Sequence, residues 1–465
     1  VARHDRALEG HAAVDVVIAT PHFPPFHTGG TEWESCQKAM ELLRRGHAVR
    51  VVSVETVRDS PHPAVSAVDD TYQGVAVHRL SLARVERGVD RAEYDNAALA
   101  GYLETWLAAR RPDVFHLFSG YLLTARTLDV ARRLGSATVL TLMDYWWLCP
   151  RITMVRSDGR LSDLPIDPAT CAQCLAEERR RYRLPARVFP RAARWWWRHR
   201  PSRSSPLEER LAYHRAALRQ VDLVISRSAF LGNTIMASLG PRPIVVQPQG
   251  VDVPQEPPLK TAAPRLRLGY LGQIAPHKGL HVLIDALRLL ADAAVELTIH
   301  GDLDRFPEYA ARVRQQAGAD ARVTFAGHFV DRRSLAERFA RLDVVVVPSL
   351  YYENLPNVIL EAFAHGTPII ASNLGGMREA VRHEVDGLLF ETGNAADLAA
   401  QIRRLIEDSA LVARLHGGIT RPASVSDEVD VLIEAYETIL TKRMGTRALV
   451  AGSQPAACLP PSPEP

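Results

Sequence analysis

The stretch Pro348–Glu379, PSLYYENLPNVILEAFAHGTPIIASNLGGMRE, decides the fold. Val344–Val347 in front of it is a short β-branched apolar run, which reads as a parallel strand covered on both faces. Residues 349–354 then form the loop at the strand's C-terminal edge. Pro356 suits the first turn of a helix, where its missing N–H costs nothing, and Asn354 is a plausible cap before it. This places Glu353 where helix N–H groups and a ligand would meet, with Glu361 about two turns along the helix. A second short strand over 368–371 leads into Gly375-Gly376 and another helix. Ligands of open α/β sheets bind outside the carboxyl ends of the strands. The stretch is therefore a site as well as a scaffold.

The same alternation extends in both directions. Strand candidates recur at 15–20, 48–53, 114–118, 138–142, 223–226 and 244–246, with helical spacing between them. PQEPPLKTAAP, residues 254–264, has no periodicity and reads as a linker. A second series follows at 266–270, 296–300, 323–325, 344–347, 368–371 and 387–390. Strands alternating with helices imply parallel sheets with helices on both faces. The expected class is α/β with two doubly wound domains, 1–253 (with an insertion at about 150–206) and 265–426. A helix over 427–443, with apolar Val431, Ile433, Ala435, Tyr436 and Ile439, follows the second domain. The small, proline-rich end, 444–465, is expected to be disordered.

The text around Glu353 and Glu361, with EN-L-P-N-V-I-L-E-A-F-A-H-G-T-P-I-I-A-S intact, resembles the signature of the retaining glycosyltransferases of family 4 (glycosyl transferases group 1). The resemblance runs from about Asp15 to Tyr436. It implies two Rossmann-like domains facing across a cleft, the GT-B arrangement, with the 427–443 helix crossing back to the first domain. It also implies transfer of a sugar from a nucleotide-diphosphate donor, bound on the second domain, to a glycan, lipid-linked or small-molecule acceptor on the first. Other GT-B enzymes, such as a sugar-nucleotide epimerase or a phosphorylase, are the alternative enzyme reading. A catalytically inactive binding subunit of a glycan-assembly complex is the non-enzymatic one.

Bulk properties bound these readings. A chain of 465 residues holds two cores of ordinary size. A net charge of +3 with 23% charged residues argues against bulk nucleic-acid binding. Only Lys38, Lys260, Lys278 and Lys442 are lysines, so arginine carries almost all the positive charge. No run approaches a membrane span, and the first residues lack the apolar core of a signal peptide. The chain is expected in the cytoplasm, at most peripherally at the inner face of the membrane. Five cysteines, Cys36, Cys149, Cys171, Cys174 and Cys458, fit a reducing compartment.

Departure of a nucleotide diphosphate leaves growing negative charge, which cations and preorganised backbone N–H groups stabilise when no metal does so. Thr28-Gly29-Gly30-Thr31 follows the first strand and opens a helix, where glycines let backbone approach an anion. Gly269 to Gly279, GYLGQIAPHKG, closes the first strand of the second domain. The family's turn there carries an arginine and a lysine five apart. Lys278 matches the lysine, but Gln273 stands at the arginine's position, so charge is weaker or is shared with another arginine. The resemblance implies that Glu361 accepts from the ribose hydroxyls and that Glu353, with the backbone at Asn354 and Leu355, contacts the donor sugar. His116, at the end of a buried strand, resembles the active-site histidine facing the cleft. Asp144 lies on the acceptor side, after Met143 where histidine is usual. Glu379 reads equally as a favourable charge at a helix N-terminus and as a donor contact.

No cofactor is required for this chemistry. Cys171-Ala-Gln-Cys174 is half a metal site, with Cys149 as a third ligand for structural zinc or iron; the other reading is reduced thiols without metal. Residues 179–203, RRRYRLPARVFPRAARWWWRHRPSR, pair arginines with Trp195, Trp196 and Trp197. That composition suits either an insertion packed on the first domain or contact with an anionic membrane.

Overall fold

The computed structural model describes residues 13–452 except 28, 60–64, 87, 89, 261, 262 and 328–333. Among the described residues, fourteen strands form two sheets. The first contains β1 (Asp15–Thr20), β2 (Ala48–Arg58), β3 (Ser66–Tyr72), β4 (Val75–Ala83), β5 (Val114–Phe118), β6 (Ala137–Leu142), β7 (Leu223–Ser226) and β8 (Val245–Val246). Their order is β3-β4-β2-β1-β5-β6-β7-β8. All pairs are parallel except the β3–β4 hairpin, which the apolar pattern did not reveal. The second sheet contains β9 (Leu266–Leu271), β10 (Val295–His300), β11 (Val323–Gly327), β12 (Val344–Val347), β13 (Ile369–Ser372) and β14 (Gly387–Phe390), in the order β11-β10-β9-β12-β13-β14. Among the described residues, every strand pairing in it is parallel. Each sheet therefore reverses direction beside its first strand, at β1 and at β9, and loops from opposite sides of each switch point diverge there to leave a crevice.

Helices cover both faces of each sheet. The faces of the first sheet are buried in two cores, one holding Val17, Phe115, Leu117 and Trp146, the other Val16, Ile18, Val139 and Phe118. The helix Val425–Gly452 closes the second of these with Val429, Leu432, Ile433, Tyr436 and Ile439. Full burial of each large apolar side chain contributes about 1.5–3 kcal/mol. Val431, another apolar position of this helix, is 49% exposed. Ser426 Oγ and backbone carbonyl accept from Arg45 Nη2 of the first domain at 2.8 and 3.0 Å. The helix continues past residue 444 to Gly452, so the expected tail does not begin there; 453–465 lie outside the described residues.

The linker is tied to the second domain. Lys260 Nζ donates to Leu342 O at 2.6 Å and to Thr367 Oγ1 at 2.8 Å. The insertion is helical, with Pro168–Ala176, Arg180–Val188 and Pro190–Arg198 leading into Pro201–Arg219. Its small core contains Ala172, Leu207 and Trp197, the last only 6% exposed. Trp195, by contrast, is 63% exposed, together with Leu184, Val188 and Phe189. The three tryptophans thus divide between packing and surface. Among the described residues, no helix is long and apolar enough to cross a membrane.

Candidate active site

Three loops leave the carboxyl ends of β10, β9 and β12, the adjacent strands around the second switch point. The loop after β12 carries Ser349, Tyr351 and Glu353; the one after β9 carries Lys278. Lys278 Nζ lies 2.7 Å from Glu353 Oε1 and 3.1 Å from the Tyr351 hydroxyl. Ser349 Oγ donates to Glu353 Oε1 at 2.7 Å, and Tyr351 Oη donates to Oε2 at 2.6 Å. The side chains of Glu353 and Lys278 are 8% and 23% exposed. Burial raises the Glu353 carboxyl, but Lys278 and the two hydroxyls outweigh it and hold the group below the ordinary carboxylate value. Burial likewise pulls the lysine down, and Glu353 and Tyr351 more than offset it. The result is an ionised pair with its hydrogen-bonding capacity largely used. Beside it, burial and then Lys278 bring His277 down to about 4, so its ring is neutral at pH 7.

The glycines of the long motif explain how this loop is held. Gly375 has φ +56°, and a Cβ at Gly376 would stand 1.4 Å from Asn354 O. Only a residue without a side chain lets the helix Gly375–Ala380 press its first N–H groups onto the loop, where Gly376 N donates to Glu353 O at 2.9 Å. Gly279, φ +71°, serves the same purpose where the β9 loop passes Pro348 O.

Asn354 does not cap the following helix. That helix begins at Asn357 with Pro356 as its N-cap, and no side chain caps it. Asn354 instead spans the two domains: Ser228 Oγ donates to its Oδ1 at 2.8 Å, and its Nδ2 donates to Leu142 O and Met143 O at 3.1 and 3.3 Å. Gln249 Nε2 reaches Leu355 O at 3.1 Å, and Glu379 Oε2 accepts from Ala229 N of the first domain at 2.9 Å. Glu379 is therefore an interdomain contact at the start of the helix Ala229–Leu239.

Across the gap, Gly29 is the N-cap of the helix Gly30–Arg44, and Gly30 comes close to Asn357. Thr28 lies outside the described residues. Gly30, Asp144, Arg227, Glu353 and Leu355 line one cleft cavity of about 190 Å³. Asp144 accepts from Ser119 Oγ at 2.7 Å and from Trp146 N at 2.8 Å, and burial raises its carboxyl. Glu361 is buried on the helix Asn357–Ala364 and lines a smaller recess with Glu34, Gln249 and Asn357, all three of which also border the cleft.

His116 does not face this cleft. It is buried in the core beneath the crossing helix, with Nδ1 2.6 Å from Tyr436 Oη and Nε2 2.7 Å from Thr141 Oγ1. Burial, then the charges of Arg227 and Lys38, keep the ring well below the ordinary histidine value and hence neutral. On a strand covered on both faces, alternation does not tell which side chains point toward the ligand. Cys149, Cys171 and Cys174 line a cavity of about 200 Å³, and burial raises all three thiols, Cys171 to about 12. Among the described residues, no group of three or more His, Cys, Asp or Glu is placed to hold a metal ion.

Several neighbours of the site were not anticipated. Ser349 and Tyr351 stand inside the quoted stretch, and Ser228 and Arg227 follow the end of β7, where the strand-end rule points. Arg227 belongs to a buried network under the cleft. It ion-pairs with Glu34 and lies 2.8 Å from Glu428, which also binds Lys38 at 2.7 Å and accepts from Gly250 N at 2.6 Å. The network joins the helix Gly30–Arg44, the end of β7, the segment after β8 and the crossing helix.

Comparison with known proteins agrees with this architecture. The Glycosyltransferase Family 4 model matches residues 28–255, and the Glycosyl transferases group 1 model matches 265–408. The D-inositol 3-phosphate glycosyltransferase of Geodermatophilus obscurus is 34% identical over 240 residues, 47% of this chain and 52% of that protein. The glycogen synthase of Mycobacterium tuberculosis is 34% identical over 206 residues, 42% of this chain and 48% of that one. The aligned parts thus span about half the length of these relatives. A Rickettsia africae glycosyltransferase superposes with a TM-score of 0.59 at 15% identity, covering 92% of this chain and 99% of its own. Anabaena Alr3699/HepE in complex with UDP and glucose gives 0.57 at 18%, covering 94% and 99%. The fold is GT-B, and the chain belongs to the family 4 glycosyltransferases.

Proposed function

We propose that this chain is a retaining glycosyltransferase that moves a sugar from a nucleotide-diphosphate sugar to an acceptor hydroxyl. The observation that carries this is the Lys278–Glu353 pair at a sheet switch point, opposite the Gly29-Gly30 helix start across the cleft. Lys278 neutralises the departing diphosphate, and the Gly29-Gly30 N–H groups add to it. Glu361 accepts from the ribose hydroxyls, because one carboxylate can accept from both vicinal hydroxyls. Glu353 and the backbone at Asn354 and Leu355 orient the donor sugar. The C1–O bond to phosphate breaks, the acceptor oxygen bonds C1 on the same face, and the acceptor proton passes to a phosphate oxygen. A Glu353 carboxylate already accepting from Lys278, Ser349 and Tyr351 suits an orienting role better than that of a nucleophile. Asp144 meets the acceptor from the first domain. His116 has no part in the reaction.

The relatives act, by their names, on an inositol phosphate and in glycogen synthesis. We place the acceptor among cyclic polyols, glycans or lipid-linked saccharides. The exposed apolar and arginine side chains of 180–198 fit peripheral contact with an anionic membrane at its cytoplasmic face. Replacing Leu184, Val188, Phe189 and Trp195 with serine should abolish co-sedimentation with anionic vesicles and leave nucleotide affinity intact; wild-type protein that ignores such vesicles contradicts the contact. The transfer itself is tested by thermal-shift screening of UDP-, GDP-, ADP- and dTDP-sugars, since a ligand at a hundred times its Kd adds about 2.7 kcal/mol. NMR of the product then reads the anomeric configuration. Absence of any shift refutes donor binding, and an inverted product refutes retention.

A further inference from the structure

The loop after β10, between His300 and the helix Pro307–Ala317, lies beside the Lys278 loop because β10 is paired with β9. It carries Arg305. With the Gln273 amide oriented so that its oxygen faces the guanidinium, that oxygen accepts from Arg305 Nε at 2.9 Å and from Nη1 at 3.2 Å. The backbone of Gln273 is itself anchored, since its main-chain carbonyl accepts from Tyr270 Oη at 2.7 Å. Two of the five guanidinium N–H groups are engaged, and three remain for a ligand. Among the described residues, Arg305 forms no ion pair with a carboxylate. Its charge is nonetheless felt by His277 beside Lys278 and, across the cleft, by His22 and Glu32. Glu32 in turn folds back against Gly29, the proposed anion-binding turn. The guanidinium is therefore held at the Lys278 loop through Gln273, within electrostatic reach of the Gly29 turn.

Resting on the transfer reading above, we propose that Arg305, oriented by Gln273, is the second cation of the diphosphate grip, donating to phosphate oxygens alongside Lys278. The glutamine at the position of the family's arginine is then a positioning residue rather than a lost charge. Arginine stays protonated throughout, so its contribution is electrostatic and no proton moves through it.

The test uses the full chain and titrates UDP, GDP, ADP and dTDP together with the matching monophosphates. Arg305→Ala should weaken binding of the cognate diphosphate at least tenfold, change monophosphate binding less than twofold, and lower turnover on the order of 100-fold. Gln273→Ala should show a smaller loss with the same selectivity, and Gln273→Glu a larger one, because its carboxylate neutralises the guanidinium it orients. Gln273→Arg in the Arg305→Ala background should restore diphosphate binding, because the guanidinium then projects from the neighbouring loop. Equal losses for mono- and diphosphate, unchanged affinity in Arg305→Ala, or no recovery in the double variant overturns the assignment. If the wild type binds none of these nucleotides, the transfer reading itself fails and takes this inference with it.

Discussion

Replacing Lys278 with methionine keeps an unbranched stem and removes the ammonium 2.7 Å from Glu353. Glu353 is the more buried partner, so the substitution strands a carboxylate. Breaking a buried pair from one side costs about 3–5 kcal/mol. The hydroxyls of Ser349 and Tyr351 still serve the carboxylate, and the lysine end is partly wet, so the lower figure, about 3 kcal/mol, applies. At about 2–4 °C per kcal/mol for a domain of this size, Tm should fall by about 6–12 °C. The pH dependence has a definite sign. In the wild type the Glu353 carboxyl lies below its unfolded value, so its stabilisation is complete above about pH 4.3 and is lost only as pH falls through the folded value. Without Lys278, burial dominates and raises the carboxyl. The deficit of the variant should therefore be largest near neutrality and shrink toward pH 5 as Glu353 takes up a proton. Thermal unfolding from pH 5 to 8 reads this directly, and turnover of folded protein should fall on the order of 100-fold or more. A pH-independent deficit, or near-normal turnover, refutes the reasoning.

Three further outcomes follow from the packing. His116→Leu leaves Tyr436 Oη and Thr141 Oγ1 without their partner; it should cost roughly 2–4 kcal/mol in denaturant unfolding, with kcat changed less than tenfold at a temperature where the variant is folded. A collapse of kcat at unchanged stability would return His116 to the site. Gly376→Ala places a methyl carbon on Asn354 O, so nucleotide-diphosphate affinity and Tm should both drop; wild-type values for both would show that the tight turn does not hold the Glu353 loop. Because burial keeps His116 and His214 neutral in the fold, the unfolded chain binds their protons first. Stability should decline below about pH 6.5 by up to about 1.4 kcal/mol per pH unit for each histidine, and His214→Phe should flatten the decline seen in pH-dependent unfolding.

The central strands were legible because buried parallel strands are unbroken apolar runs, as in Val344–Val347 and Ile369–Ser372. The β3 strand was not, since Ser66–Tyr72 is mostly exposed and carries Asp69 and Asp70, leaving no apolar face to read. Within the site, Lys278, Glu353, Asn354 and the Gly375-Gly376 turn could be placed because one contiguous stretch and the first loop of the domain carry them. Asn354 illustrates the limit: its spacing suits a cap, yet its side chain bonds Leu142 and Met143 more than 200 positions away. Arg305 was invisible for the same reason, because its relation to Gln273 arises only when β10 is laid beside β9. Helical periodicity found the crossing helix, and its apolar positions Ile433, Tyr436 and Ile439 are buried, whereas Val431 is exposed and Val429 is buried, a choice that only tertiary packing makes.

The most direct test of the account is calorimetric titration of UDP, GDP, ADP and dTDP into the wild type, Lys278→Met and Glu361→Ala. One diphosphate should bind the wild type with one-to-one stoichiometry. Its affinity should fall at least tenfold in Lys278→Met through the phosphates, and in Glu361→Ala through the ribose. Failure of all four to bind, or wild-type affinity in both variants, would contradict a nucleotide-sugar site at this switch point.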